Sequence, residues 1–182
     1  DLHFSWDAVE NTSRMLNIFW NAYRFSLPYM ILDKFDATKA DLSGARLRPE
    51  DRWILSRVNS LAEEITQDME QYQLHRIARA VSDFILEDLS RWYIQLVRPR
   101  TWIEQDDPDK LAAYATIYEV LVTLSKLLAP FAPFLAESVY QNIVRGLDPL
   151  ASESVHMCDW PTARKELIDK RLEESMALVR DT

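Results

Sequence analysis

The chain has 182 residues, a length that suits one domain, and its apolar share of 48% and charged share of 27% are ordinary for a globular protein. Its 2 glycines are too few for nucleotide-binding loops or for the turns of β-sandwiches and barrels, and its 1 cysteine excludes an internal disulfide bond. The formal net charge of −8 argues against a general nucleic-acid-binding protein, which usually carries a basic face.

The first predicted helix runs from about Asp7 to Ser26. Asp7 and Glu10 have the three-residue spacing of an N-terminal capping box, and Pro28 is expected to end or kink the helix. The polar residues 33–49 are typical of a surface loop. Apolar side chains at helical spacing predict a stripe that faces a core: Met15, Ile18, Phe19, Ala22 and Tyr23.

Three long helices are predicted next. The second begins at Asp51 or Arg52, the third spans about Leu74–Val97 and is stopped by Pro99, and the fourth spans about Pro108–Leu128. The fourth helix is apolar on more than one side, which indicates a central position with several neighbours. The second helix has apolar residues in steps of three and four: Ile54, Val58, Leu61, Ile65, Met69 and Tyr72.

The C-terminal third is predicted to contain two further helices. The fifth spans about Phe134–Arg145, with Gly146 at its C-terminal cap. In the loop after it, the alternation around Val155 and Met157 is compatible with one short strand. The last helix spans about Thr162–Arg180 and has few bulky apolar side chains.

Short connections between long helices favour antiparallel neighbours, so the sequence predicts an all-α fold, an antiparallel helix bundle. We assign residues 1–147 to this bundle. We assign residues 148–182 to an extended segment and a C-terminal helix, which we expect to lead into a further C-terminal region.

The sequence predicts no catalytic or metal site. His3, His75 and His156 are far apart, and one cysteine cannot complete a zinc site with paired ligands. Glu153-x-x-His156 is half of a di-iron bundle motif whose other half is missing. No P-loop, dinucleotide-binding turn or serine-nucleophile motif occurs. We therefore expect no catalytic residue, no metal and no cofactor in this chain.

The distribution of charge indicates where a polyanion could bind. Residues 103–182 carry 8 basic and 14 acidic side chains, whereas residues 52–102 carry 7 of each. No apolar run reaches the ~20 residues that a membrane span needs, so no membrane partner is expected. A site for a polyanion is expected in the middle of the chain rather than near its C-terminus.

One cluster of cationic and aromatic residues lies at the end of the third helix and just after it. Guanidinium groups bind phosphate in a bidentate manner, and aromatic rings stack on unpaired bases, so the cluster favours RNA binding. The alternative is structural, because Trp92 and Tyr93 continue an apolar face and Arg91 can pair with Glu87 four residues earlier. Two arginines at the start of the second helix extend the same surface. The candidate RNA-binding residues are Arg98, Arg100, Trp102, Arg52, Arg57 and Arg91.

The chain also resembles a known family over nearly its whole length. Residues 51–57, D-R-W-I-L-S-R, are similar to the opening of the anticodon-binding bundle in class I aminoacyl-tRNA synthetases for isoleucine, leucine and valine. No single motif is decisive, but the ordered set is specific. The other matching segments are L-H-F-S-W-D-A-V at 2–9, L-S-R-W-Y-I at 89–94, V-R-P-R-T-W at 97–102, L-A-P-F-A-P-F-L-A-E at 128–137 and S-V-H-M-C-D-W-P at 154–161.

Within this family, three segments look most like isoleucyl enzymes of archaeal or eukaryotic type. These are Y-E-V-L at 118–121, Y-Q-N-I-V at 140–144 and the S-V-H-x-x-D-W-P pattern at 154–161. Leucyl and valyl relatives share much of the rest. The chain departs from the family pattern at Pro99, where a second arginine is expected, and this weakens the basic patch.

The resemblance implies a module that holds the anticodon stem-loop of tRNA(Ile), with the catalytic and C-terminal domains of a larger synthetase as its other partners. It implies that the parent is a cytoplasmic enzyme that joins isoleucine to tRNA with ATP and Mg²⁺. The catalytic motifs H-I-G-H and K-M-S-K-S do not occur in this chain, so no ligase chemistry is expected of it alone.

Two other interpretations stay open at this point. A helical protein-interaction or scaffold domain without an RNA role is favoured by the acidic charge and the weak last helix, and it would gain if the candidate arginines were scattered or paired with acids. A helical-bundle metalloenzyme is the third interpretation, and it lacks its ligands.

Overall fold

A computed structural model of the chain describes residues 5–39, 42, 45–102, 107–146, 148 and 150–180. All the regular secondary structure in these ranges is helical, and the helices pack around one hydrophobic core, so the predicted all-α bundle is confirmed. The α-helices are α1 (Trp6–Leu32), α2 (Pro49–Glu70), α3 (Leu74–Asp83), α4 (Ile94–Thr101), α5 (Pro108–Leu128), α6 (Pro133–Tyr140) and α7 (Lys170–Arg180).

Two helices contain π-helical turns. α3 continues through Phe84–Tyr93 into α4 without a break, which makes one long rod, and α6 continues through Gln141–Arg145. In a π-helical turn each backbone N–H bonds five residues back, and such turns often occur at functional sites. The rod from α3 to α4 carries three of the six candidate RNA-binding residues, and Trp102 directly follows it.

α5 is the central helix of the bundle, as its sequence predicts. It packs against α2, α4 and α6, and thirteen of its residues are buried. In the described part of the chain, α5 is the one helix that is long and apolar enough to cross a membrane, judged by length and composition alone. However, 67% of its apolar 18-residue stretch is buried inside the domain. Burial on several sides is the property of a core helix of a globular domain.

Two prolines do not stop helices where the sequence predicts. α1 continues past Pro28 to Leu32, and α4 includes Pro99 and ends at Thr101. Both proline side chains are exposed, so the lost backbone hydrogen bond lies on the solvent side, where water can replace it. Buried Met30 and Thr101 hold the helical turns beyond the prolines against the core.

α1 ends in a Schellman motif that has a lysine where glycine is usual. Lys34 has a φ of +53°, its N–H donates to Ile31 O at 3.1 Å, and Phe35 N–H donates to Met30 O at 2.8 Å. The Phe35 side chain is buried and supplies the apolar contact of the motif. The left-handed conformation costs a residue with a Cβ atom roughly 1–2 kcal/mol.

Lys34→Gly is therefore expected to stabilise the fold by about 1 kcal/mol, because glycine adopts this backbone conformation without strain. Urea denaturation followed by circular dichroism measures the change. Lys34→Ala is the control, because it removes the charge and keeps the strain. Equal stability of the two variants would contradict the explanation.

The C-terminal part differs from the sequence prediction in two ways. Val155–Met157 form a 3₁₀ turn and not a strand, because His156 N–H donates to Ser154 Oγ, while the described residues contain no strand for them to pair with. The last helix begins at Lys170 and not at about Thr162. Asp169 is its N-terminal cap and accepts a hydrogen bond from Leu172 N–H at 3.0 Å.

Residues 160–169 run along α2 as a strap fixed by side chains. Trp160 Nε1 donates to Thr66 Oγ1 at 2.9 Å, and Arg164 N donates to Asn59 Oδ1 at 2.8 Å. Asp169 N–H then donates to Ser56 Oγ at 2.8 Å. Such polar pairs are not visible in hydrophobic periodicity. The boundary at residue 147 between bundle and C-terminal segment stays a prediction.

α7 docks on α2 through polar contacts, and its Leu172 and Met176 are partly buried against the core, although none of its side chains is fully buried. The Glu173 carboxylate accepts hydrogen bonds from Ser56 Oγ at 2.5 Å and Ser60 Oγ at 2.7 Å, and it pairs with Lys170 Nζ at 3.1 Å. Burial raises the pKa of Glu173, but these hydrogen bonds outweigh it, so its pKa lies below the ordinary value of 4.5. The ionised form of Glu173 is therefore the one that holds α7.

Docking of α7 is expected to weaken in acid. A carboxyl group with a lowered folded pKa contributes stability that is complete above its ordinary pKa and is lost as pH falls through the folded value, here below pH 4.5. Hydrogen exchange of the α7 amides measures the docking. In Glu173→Gln these amides are expected to exchange fast already at neutral pH, and to lose the acid-dependent step. An identical pH profile in both proteins would contradict the role of Glu173.

Candidate nucleic-acid interface

One end of the bundle gathers the ends of four helices, and we call it the α4 end. α1 and α4 finish there, and α2 and α5 begin there. Trp102 Nε1 donates to Tyr29 Oη at 3.0 Å, which joins α4 to α1, and Arg100 joins α4 to α2 and α5. The candidate residues Arg98, Arg100 and Trp102 therefore lie at the same end as Arg52.

Arg100 is buried at this end and belongs to the fold. Only 3% of the residue is exposed, and its Nη1 and Nη2 donate to the two carboxylate oxygens of Asp51 at 2.9 and 2.8 Å. Its Nε donates to Asp109 Oδ2 at 3.1 Å. All of its forked guanidinium is used inside the protein, which disfavours the predicted contact of Arg100 with RNA.

Asp51 is the centre of this buried network. It is 0% exposed and also accepts hydrogen bonds from Tyr93 Oη at 2.8 Å and from Arg48 N at 2.9 Å. Burial raises the pKa of the Tyr93 phenol well above its ordinary value, and the Asp51 charge adds to this. Burial lowers the pKa of Arg100, but the bond to Asp51 outweighs it and raises the pKa above its ordinary value. The raised pKa values keep Arg100 charged and Tyr93 neutral, the forms in which both donate hydrogen bonds to Asp51.

A second buried ion pair supports the end of α1. Lys110 is 1% exposed, and its Nζ lies 2.7 Å from Asp33 Oδ2, which also accepts the Tyr114 hydroxyl at 2.6 Å. The bond from Lys110, and then the bond from Tyr114, lower the pKa of Asp33. The last turn of α1, which carries Tyr29, is therefore fixed against α5.

Arg57 and Arg91 are engaged in ion pairs away from the α4 end. Arg57 Nε lies 2.9 Å from Asp88 Oδ2, and its Nη1 lies 3.4 Å from Glu173 in the α7 contact. Arg57 is held against α7 and only a third of its side chain is exposed, which disfavours its predicted contact with RNA. Arg91 pairs with Glu87 at 2.5 Å, which confirms the interpretation of this arginine as half of an i,i+4 pair on an exposed helix face.

Trp92 is only partly buried, although its place in the apolar stripe suggests a core residue. Its ring lies 5.9 Å from the guanidinium of Arg180 on α7, and its buried Nε1 has no partner in the described part of the chain. Tyr93 beside it is fully buried. The ring of Trp92 thus contributes to the docking of α7 rather than to the centre of the bundle.

Arg98 and Trp102 form a cation–aromatic surface with two residues of α1, and we call these four residues the aromatic cluster. The guanidinium of Arg98 lies 5.3 Å from the ring centroid of Phe25, and the rings of Phe25 and Tyr29 are 5.8 Å apart. Trp102 is 58% exposed and donates to Tyr29. No carboxylate of the described residues lies within ion-pair distance of Arg98. The cluster presents a ring face and an unpaired cation together.

Phe25 and Tyr29 were missed by the sequence analysis. They are 73 and more residues from Trp102 in the chain, and they lie beside the Met15–Tyr23 stripe rather than on it. The signal available was their i,i+4 spacing on the flank of an amphipathic helix. Two cationic neighbours, Arg24 and Arg52, are exposed and make no ion pair with the described residues.

Three of the six candidate arginines and aromatics, namely Arg57, Arg91 and Arg100, are thus paired with acids, and three are available to a ligand. These ion pairs reduce the positive charge that the surface offers to RNA, which is what the scaffold interpretation predicts. The other three candidates, exposed Arg52 and Trp102 and half-buried Arg98, nevertheless lie at one end of the bundle, with aromatic rings beside them. Within the described ranges, no group of three or more His, Cys, Asp or Glu side chains is placed to hold a metal ion.

Comparison with known proteins decides between these interpretations. The family described as "Anticodon-binding domain of tRNA ligase" matches residues 51–182. The chain belongs to this family. It is 71% identical over 181 residues to an isoleucine–tRNA ligase of Methanothrix thermoacetophila, with 100% of the chain covered. It is 56% identical to that of Methanosarcina mazei over 99% of the chain, and 51% identical to that of Thermococcus kodakarensis over 99%.

The chain spans 17% of the length of these relatives. The family resemblance drawn from the ordered motifs is confirmed, and so is its isoleucyl character. The RNA-binding interpretation is therefore favoured over the scaffold interpretation.

Proposed function

We propose that this chain binds the anticodon stem-loop of tRNA(Ile) as a module of an isoleucine–tRNA ligase. The relatives carry that name, and the chain corresponds to a part of them. In this proposal the catalytic domain, outside this chain, carries out ATP- and Mg²⁺-dependent aminoacylation in the cytoplasm. The chain itself positions the tRNA together with the catalytic and C-terminal domains.

The aromatic cluster is the observation that supports this proposal. An exposed indole supplies a flat face on which an unpaired loop base can stack, and such stacking is worth about 1–3 kcal/mol per base. Arg98 and Arg52 supply positive charge for the phosphates beside the loop. Buried Arg100 has a different task, which is to hold the end of α4 in place so that Trp102 meets Tyr29.

The acidic charge of the chain sets the strength of binding. With a net charge of −8 and few free arginines, the domain releases few counterions when it binds RNA. The affinity of the isolated chain is therefore expected to be weak and to depend only moderately on salt. Most of the affinity of a complete enzyme would come from its other domains.

Titration of the chain with an isoleucine anticodon stem-loop and a leucine anticodon stem-loop, at low and moderate salt, tests the proposal. Tighter binding of the isoleucine loop supports recognition of tRNA(Ile) by this domain. Equal binding of both loops would restrict the domain to positioning the RNA. Absence of binding to either loop at low salt would refute an RNA role and favour the scaffold interpretation.

A further inference from the structure

A second surface of the chain has the composition of an interaction site. α2 ends and α3 begins at a tight turn, which we call the α2–α3 corner, and it lies at the opposite end of the rod from the aromatic cluster. Tyr72 at this corner is 87% exposed and Leu74 is 54% exposed. The proposed function uses neither residue.

Tyr72 occupies a backbone position that glycine would occupy without strain. Its φ is +57°, its N–H donates to Met69 O at 3.1 Å, and Gln73 N–H donates to Asp68 O at 2.8 Å, so it is the left-handed residue of a Schellman motif. The ring is exposed and adds no packing to the core. A bulky residue in a strained backbone conformation, whose side chain adds no packing to offset the strain, is a reason to look for function.

Two exposed arginines, Arg76 and Arg79, follow this tyrosine in the first turns of α3. His75, Arg76 and Arg79 line a cleft of about 360 Å³ on the exposed face of α3. Arg76 has a side chain that is 57% exposed and only a 3.5 Å contact with Asp68, and Arg79 is exposed without an ion pair in the described part of the chain. Glu64 and Asp83 also line the cleft, and they limit its attraction for an anion to a modest level.

The corner and the aromatic cluster lie on one continuous rod. From Arg79 to Pro99, every fourth residue of this rod is exposed or half-exposed, so one face of the rod joins the two surfaces. Arg79 and Arg98 are roughly 25–30 Å apart along the axis, because α-helical residues rise 1.5 Å each and the π-helical residues between them rise less. The acidic residues on this face, Asp83 and the paired Glu87, lie between them. Contacts with RNA are therefore expected at the two ends of the face.

We propose that the α2–α3 corner is a second RNA-contact surface, which binds the phosphate backbone of the double-stranded stem roughly 25–30 Å from the α4 end. The proposal rests on the proposed function. Arg79 and Arg76 contact phosphates, and the Tyr72 ring packs against the sugar–phosphate edge. Because A-form helices hide their base edges in a narrow major groove, such contacts read shape and not sequence.

Two hairpin RNAs with the same loop test this, one with a short stem and one with a stem about 30 Å longer. The unaltered chain is expected to bind the longer hairpin about fivefold more tightly, as one or two added phosphate contacts allow. In Arg79→Gln and in Tyr72→Gly this gain is expected to disappear, while the affinity for the short hairpin stays unchanged. The gain should persist when the stem sequence is altered.

Tyr72→Gly carries its own control for folding, because it is expected to raise the melting temperature by about 2–4 °C as the strain is removed. Arg171→Gln, which removes an exposed arginine on α7 that makes no ion pair with the described residues, is the charge-matched control and should keep the gain. The corner proposal alone would be overturned if both corner variants still bound the longer hairpin more tightly than the short one. It would also be overturned if the unaltered chain bound both hairpins equally. Failure of both hairpins to bind would overturn the proposed function with it.

Discussion

Replacement of Arg100 with alanine is expected to destabilise the domain by about 3–5 kcal/mol, because it leaves the fully buried Asp51 carboxylate without its main partner. That is a large part of the 5–15 kcal/mol by which a domain of this size is usually stable. The network also ties α4 to α2 and α5, so the loss should affect the whole bundle. Guanidinium chloride denaturation followed by circular dichroism measures the effect.

Arg98→Ala is the matched control, two positions earlier in the same helix. Arg98 makes a single cation–π contact with Phe25, so its loss should cost less than about 1 kcal/mol of stability. Asp51→Ala should destabilise the domain at least as strongly as Arg100→Ala. An Arg100→Ala variant with unaltered stability but impaired RNA binding would restore Arg100 to the interface and contradict the structure.

Trp102→Ala is expected to weaken binding of the anticodon stem-loop about tenfold or more, since the loss of one base–aromatic stacking contact costs about 1–3 kcal/mol. Stability should change little, because the indole is 58% exposed and its one described polar contact is with Tyr29. The midpoint of thermal unfolding and the dissociation constant, measured on the same preparation, separate the two effects. The salt dependence should stay the same, because no charge is removed.

Trp6→Ala is the matched control for this prediction. Trp6 is 72% exposed in the first turn of α1, at the far end of a 27-residue helix from Tyr29. Trp6→Ala removes an indole ring, as Trp102→Ala does, and should leave RNA affinity unaltered. Tyr29→Phe deletes the acceptor that orients Trp102, and it should weaken binding to a smaller extent than Trp102→Ala. Equal losses in Trp6→Ala and Trp102→Ala would show that the stacking surface is not confined to the α4 end.

Helical periodicity predicted the fold well, because the apolar stripes of α2, α3 and α5 are also the faces that the core buries. α5 begins and ends where its sequence indicates, since Pro108 and Asp107 define its first turn. The prolines at 28 and 99 misled the prediction of helix ends. Whether a proline stops a helix depends on what the next turn packs against, and that is a tertiary property.

The candidate site was only partly predictable, because the sequence does not show which arginines form ion pairs with acids. Arg98 and Arg100 are two residues apart and look alike in sequence, yet Arg98 is half-buried beside Phe25 without an acid partner and Arg100 is fully buried among acids. The acids that take Arg100 inside, Asp51 and Asp109, lie in the first turns of α2 and α5, where acids are expected to interact with helix dipoles. Helix-dipole rules explain each of these acids by itself, whereas their pairing with Arg100 depends on the packing of four helix ends.

The central claim is that RNA meets this domain at the aromatic cluster. Ultraviolet crosslinking of an anticodon stem-loop that carries a photoreactive base in its loop, followed by mapping of the modified peptides, tests it most directly. We expect crosslinks to Trp102 and to the segment of α1 that carries Phe25 and Tyr29. Crosslinks confined to other surfaces, such as α7 or the strap along α2, would contradict it.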